Sequence, residues 1–281
     1  MSRLIAILSL MVLCPTSAAW AQLAAPNEAG VAMGHVHYNV QDVEASKKFW
    51  MALGGASIKF GTTDVVKFPE LLIFLTQAES SGGAEGSAFS HLAFKSRNLG
   101  QLVENLRAAG QKLDRNNTVT PDGDHIELFQ EMTDPVKFVP DPGHDNPVSQ
   151  RHARPMPGAI GTHHIHIYLP EGDDEKGRDW YVKMFGAVPG IRFHYKAADL
   201  PGITMNFLGN PGARMQAPTK GRTMDHIGFE VTNLKAFCKG LESKGVKFDV
   251  PYAKGRNGLA TAFLTDPFGT YIELTEGLRG L

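Results

Sequence analysis

The sequence predicts an α+β fold assembled from four βαβββ units that pair, two to a domain, behind an N-terminal signal peptide. Three observations carry this prediction. Histidines open four apolar, strand-like runs, at His35, His91, His164 and His226. Seven residues after His35, His91 and His226 stand Asp42, Asn98 and Asn233, whose short polar side chains suit helix N-caps. Nineteen residues after the same three histidines stand Gly54, Gly110 and Gly245, each placed to end a helix; His164 reaches Gly186 on the same plan with three residues inserted. A single such unit leaves one face of its sheet uncovered, so units must pair.

At the N-terminus, Arg3, the apolar run from Leu4 to Cys14 and the segment Ala19-Trp20-Ala21 make the charged, apolar and small-residue parts of an export signal spanning 1–21. Cleavage is expected after Ala21, which places the mature protein in the periplasm or outside the cell. The apolar run is shorter than the roughly 20 residues that a spanning helix needs, so no membrane association is expected after cleavage. Cys14 leaves with the signal and Cys238 remains alone, which predicts a fold held by its core rather than by a disulfide.

The N-terminal domain is expected over 31–139. Its first unit has a strand at Gly34 to Val40, a helix from Val43 to about Leu53 with Phe49, Trp50 and Leu53 inward, and later strands within Lys67 to Thr76. The second has a strand from Ser90, a helix from Leu99 to Ala109 and a closing strand His125 to Phe129. Pro140, Pro142, Pro147, Pro155 and Pro157 mark 140–159 as a linker. The C-terminal domain is expected over 160–277. Its third unit contains the strand through His164, a helix near Lys176 to Phe185, and extended segments at Ile191 to Tyr195 and Thr204 to Leu208. The fourth contains Met224 to Phe229, a helix from Leu234 to Lys244, and strands on either side of Asp266-Pro267-Phe268-Gly269.

The charge balance narrows the partners. Lys plus Arg number 28 against 29 Asp plus Glu, without a basic run, which argues against nucleic acid and for a small-molecule ligand. Four units in one chain make dimerisation unnecessary for completing a domain, and a homodimer stays open.

Two imidazoles and one carboxylate can hold a divalent ion while leaving positions free for substrate oxygens. The chain offers that set twice: His164, His226 and Glu273 in the C-terminal half, and His35, His91 and Glu127 in the N-terminal half. Strand alternation puts His37 and His166 on the ligand face as second-sphere groups, acid/base catalysts or alternative ligands. The same alternation lines the cavities with His125 and Phe129 beside Glu127, and Tyr271 and Thr275 beside Glu273. His163 is expected on the opposite face and His152 in the linker. Arg192, His194 and Arg256 are placed either to reach substrate or to lie in solvent. His91 and Glu127 are 36 residues apart whereas His226 and Glu273 are 47 apart, so the second unit is expected to lack about a hairpin.

On Asp225-His226-Ile227-Gly228-Phe229, and on Asp266-Pro267-Phe268-Gly269 followed by Tyr271-Ile272-Glu273-Leu274, the chain resembles the vicinal oxygen chelate superfamily, which includes glyoxalase I, bleomycin-resistance proteins and extradiol dioxygenases. The resemblance implies cup-shaped sheets around a metal, with both His/His/Glu sets matching the family's ligand positions one for one. It also implies a glyoxalase-like enzyme, exported if the N-terminal signal acts as expected, using Fe2+, Zn2+, Mn2+ or Ni2+ on a small oxygen-rich substrate. The chemistry implied is proton transfer or addition-elimination, with His166 as base candidate and Tyr271 as a second catalytic candidate. A metal-independent sequestering protein is the alternative. Ring cleavage is a third reading that loses ground, because Phe263 stands where extradiol enzymes carry Tyr and residues 254–262 contain no His.

Overall fold

The computed structural model describes residues 23–131, 137–145, 156, 158–209, 216–255 and 258–281. The expected signal, His152 and Arg256 lie outside them. Four units follow one another. The first holds β1 (Val31–Val40), α1 (Val43–Ala52), β2 (Ala56–Phe60), β3 (Thr63–Phe68) and β4 (Leu71–Gln77); the second holds β5 (Phe89–Ser96), α2 (Leu99–Ala108), β6 (Leu113–Asp114), β7 (Asn117–Val119) and β8 (His125–Gln130). After β9 (Phe138–Pro140) the third unit holds β10 (Ile160–Leu169), α3 (Asp174–Phe185), β11 (Val188–Arg192), β12 (Tyr195–Leu200) and β13 (Ile203–Gly209). The fourth holds β14 (Met224–Val231), α4 (Leu234–Ser243), β15 (Phe248–Lys254), β16 (Ala260–Thr265) and β17 (Tyr271–Glu276).

Local signals explain the helix boundaries. The Asp42 and Asn98 side chains accept from the amides of Ala45 and Gln101, satisfying donors that have no partner inside the helix. Gly186 closes α3 in the left-handed conformation, at φ 64°. Asn233 stands at the expected place before α4 but makes no side-chain cap bond; Glu276 accepts from the Leu234 amide instead. The segment expected to be extended from Ile191 to Tyr195 is a hairpin, with Phe193 in the left-handed region at φ 59°. The second unit does not lack its hairpin. It keeps both strands, cut to two and three residues in β6 and β7.

Pairing of the units differs from the sequence expectation that neighbours in sequence share a site. One sheet runs β15-β16-β17-β14-β1-β4-β3-β2, joining the first unit to the fourth; the other runs β6-β7-β8-β5-β10-β13-β12-β11-β9, joining the second to the third. Each joint is an antiparallel pairing of opening strands, β1 with β14 and β5 with β10. All four opening strands present a similar free edge, so the repeat leaves the choice of partner to tertiary packing. The proline-rich stretch begins within the second sheet, because β9 pairs with β11.

The histidine-free faces meet in one core. Phe49 and Trp50 of α1, Leu106 of α2, Tyr181 and Phe185 of α3 and Leu241 of α4 pack there with Val36, Phe94, Ile165 and Phe229 from both sheets. Trp50 lies 6.1 Å from Phe94 and Phe185 lies 4.8 Å from Phe229, ring centre to ring centre, so α1 and α3 also touch the sheet they do not belong to. Cys238 is buried in this core. Among the described residues no helix is long and apolar enough to cross a membrane.

Candidate metal centres

Because units pair across the halves, the ligand sets regroup. His35, His226 and Glu273 meet in the first sheet; His91, His164 and Glu127 meet in the second. The expected grouping of His164 with His226 and Glu273, and of His35 with His91 and Glu127, is therefore corrected: His164 lies on β10 of one sheet, and His226 and Glu273 on β14 and β17 of the other. All six residues line a ligand cluster, but with exchanged partners. Each cluster takes a histidine from both opening strands and its glutamate from a closing strand.

In the first cup, Glu273 Oε2 is 2.9 Å from His35 Nε2 and 3.1 Å from His226 Nε2. Asp225 accepts from His226 Nδ1–H at 2.5 Å, which turns Nε2 inward towards Glu273. Burial pushes the Glu273 carboxyl up, but hydrogen bonds from His226 and His35 outweigh it and hold the group well below the usual carboxylate range. Burial likewise lowers His226, and its bonds to Asp225 and Glu273 reverse the direction and raise it. His35 Nδ1 is buried without a partner. Its ring lies directly over Gly228, where a Cβ would overlap it. Tyr271 stacks on Phe263, and the Lys220 ammonium sits 4.5 Å above the Tyr271 ring.

In the second cup, His91 Nε2 is 3.1 Å from His164 Nε2 and 3.2 Å from Glu127 Oε2, and His164 Nε2 is 3.7 Å from that oxygen. Ser90 Oγ, 2.9 Å from His91 Nδ1, takes the place that Asp225 has in the first cup. A cavity of about 370 Å³ opens here, lined by His91, Glu127, His164, His166, Tyr168 and Tyr195 among others. Burial raises the Glu127 carboxyl, but His91 overrides this and keeps it low. Burial, then His163 and His91, drive the His164 imidazole far below its ordinary value, and burial with His91 lowers His166 to about 3. Both rings are neutral at physiological pH, the state in which imidazole binds a metal.

Bulges rearrange residues that strand alternation would separate. β10 shifts register between Thr162 and His164, so His163 does not simply face away: it stacks on Phe129 at 4.3 Å and its Nδ1 lies 2.7 Å from His164 Nδ1. Arg192, 1% exposed, neither reaches substrate nor lies in solvent; its Nη1 donates to His163 Nε2 at 2.8 Å and its Nη2 to Thr204. His194 is exposed, with its ring tilted against Tyr195 at 4.0 Å between ring centres. The two expected catalytic residues lie in different cups, Tyr271 in the first and His166 in the second. Sequence reasoning missed Asp225 and Ser90, because both sit at register shifts that let neighbouring side chains share a side of the strand. Their place immediately before His226 and His91 was the available signal. Thr76 and Asn206, which differ between the cups, carry no such signal.

The donor sets fit a divalent ion. Each cup presents two imidazole nitrogens and one ionised carboxylate oxygen around one point, a set suited to Zn, Fe, Ni or Mn.

Known proteins place this geometry in context. The family described as the Glyoxalase/Bleomycin resistance protein/Dioxygenase superfamily matches residues 32–138 and 161–274. Glyoxalase I from Zea mays superimposes with a TM-score of 0.63 at 18% identity, covering 88% of this chain and 92% of that one. A Bacillus subtilis protein provisionally assigned as a dioxygenase gives a TM-score of 0.63 at 15% identity, over 91% and 86% of the two chains. At such identities the likeness is one of fold. No curated protein matches the chain in sequence. With two family repeats spanning most of its length and a His/His/Glu cluster in each sheet, the chain belongs to the glyoxalase/bleomycin resistance protein/dioxygenase superfamily.

Proposed function

We propose that the protein is an exported, divalent-metal-dependent enzyme that acts on a small oxygen-rich molecule by proton transfer or addition-elimination. The observation that carries the reading is the convergence, in each cup, of two histidine nitrogens and one glutamate oxygen, within 3.7 Å of one another in the second cup and within 4.8 Å in the first. When bound, the ion supplies a Lewis acid that takes neighbouring substrate oxygens and stabilises negative charge forming on them.

The chain's own groups do the rest. Asp225 and Ser90 hold His226 and His91 with Nε2 inward. The second cup's cavity has aromatic walls in Tyr168, Tyr195 and Phe129, which exclude water from a small ligand. In the first cup, burial raises Tyr271 above its ordinary value, so its hydroxyl keeps its proton at neutral pH and is placed to donate it to a developing oxyanion. Residues 1–21 supply the export signal in this reading, and the mature protein works in the periplasm or outside the cell.

The test is metal analysis of the mature protein and of single-site variants. Glu273→Ala should lose one metal equivalent, Glu127→Ala should bind the second-cup ion more weakly, and the double variant should hold the least metal. Unchanged metal content in both single variants overturns the reading, and ligand binding that persists undiminished in chelator supports a sequestering protein instead.

A further inference from the structure

The two cups are built on one plan, so positions can be compared one by one. His37 pairs across the sheet joint with His226, and His166 occupies the same place opposite His91. In the first cup this extra histidine is tied back: its Nε2 hydrogen-bonds Thr76 Oγ1 at 2.9 Å. Thr76 pairs with Asn39; the corresponding pair in the second cup is Leu208 with Tyr168, and leucine offers no hydrogen bond. His166 Nε2 is accordingly buried without a partner. One donor atom from each of His91, His164 and His166 lies within 4.8 Å of the others.

A second difference points the same way. Opposite His37 stands Phe74, whose ring lies 5.0 Å from His35 and closes that side of the first cup with carbon. Opposite His166 stands Asn206, 1% exposed, with its side-chain oxygen buried and unpartnered. A buried polar atom without a partner forfeits its hydration, so two side by side in one cavity wall point to something that satisfies them.

We propose that His166 is a third imidazole ligand, so that the second cup grips a divalent ion through His91, His164, His166 and Glu127 whereas the first uses His35, His226 and Glu273 alone. This rests on the reading of both cups as metal centres and makes them unequal. Four protein donors leave two of six octahedral positions, enough for two neighbouring oxygens of one substrate; three donors leave three. Asn206 is then positioned beside the open pair to hydrogen-bond a substrate hydroxyl. The third nitrogen also biases the second cup towards borderline ions such as Co2+, Ni2+ and Zn2+.

The test uses metal-stripped, full-length mature chain carrying Glu273→Ala, so that only the second cup binds, titrated with Co2+ and followed by its visible absorption. With His166 intact one equivalent should bind. Adding His166→Gln should raise Kd at least about tenfold and alter the ligand-field bands. Leu208→Thr, which keeps His166 but restores the hydroxyl that holds His37 back, should weaken Co2+ in the same direction and decides the matter if His166→Gln fails to fold. In the converse background, His91→Ala with Glu127→Ala so that only the first cup binds, His37→Gln should leave both Kd and spectrum unchanged. Co2+ binding that is indifferent to His166→Gln and Leu208→Thr overturns this proposal alone. Failure of the Glu273→Ala chain to bind Co2+ at all overturns the metal reading of the second cup with it.

Discussion

The first cup is braced from behind by charge, the second by a buried relay of neutral and cationic groups. Asp225 holds His226 in the one and Ser90 holds His91 in the other. Behind the histidine of the remaining opening strand, the first cup has Gly34 at its bulge, and the second has His163 backed by Arg192. Gly228 lets the His35 ring lie flat on the sheet; its counterpart opposite His164 is Ala93. Duplicated architecture has thus kept the three candidate ligands while the residues around them diverged, and those neighbours set how open and how charged each cup is.

Exchanging these supports should break the comparison at measurable points. The largest effect is expected for Arg192→Met. It removes a buried guanidinium bonded to His163 and Thr204, the latter bonded to Asp199, and should cost about 3 kcal/mol or more in denaturant unfolding. Metal bound in the second cup should weaken with it, because His163 loses the group that holds it against His164. Next comes Gly228→Ala, whose new methyl group overlaps the His35 ring; a cost of about 1–3 kcal/mol and loss of metal from the first cup alone are expected. Metal retained in both cups would show that His35 is not held there.

Asp225→Ser gives the first cup the support of the second. It should weaken metal in the first cup by about 10–100-fold in competition with a chelator, with the second cup unaffected. The last effect, small for each pH unit, concerns pH in the metal-free protein. Burial, with His226 and His35 close by, lowers His37 to about 3 against about 6.5 when unfolded. The unfolded chain therefore takes up a proton first as pH falls below about 6.5, and folded stability is lost progressively from there towards pH 3. Thermal melting should drop by a few degrees per pH unit in that window, less so in His37→Gln; identical slopes would refute the assignment.

Much of this was legible in the chain itself. Asp42, Asn98 and the helix-ending glycines located the helices because capping is local chemistry. The six candidate ligand residues could be named because few residue types bind metals and the repeat gave each a position. Which histidine meets which glutamate was not legible, since the four opening strands carry similar edges and their pairing is fixed by tertiary packing in the shared core rather than by local pattern. Nor were Ser90, Asp225 and His163 legible as supports, because strand alternation assumes a regular ladder and all three sit at bulges. Arg192 misled for a related reason: a lone arginine suggests solvent or substrate until its buried partners are seen.

Pairing of first unit with fourth and second with third nests one centre inside the other along the chain. His91 and His164 are 73 positions apart, whereas His35 and Glu273 are separated by 238. Bringing the outer pair together costs about 1 kcal/mol more in chain entropy, and it cannot happen until nearly the last residue has emerged. A protein delivered from its N-terminus would therefore complete the inner site first and the outer one last. A chain truncated anywhere before β17 would lack the outer glutamate, so the ion held there would act as a seal on a finished molecule.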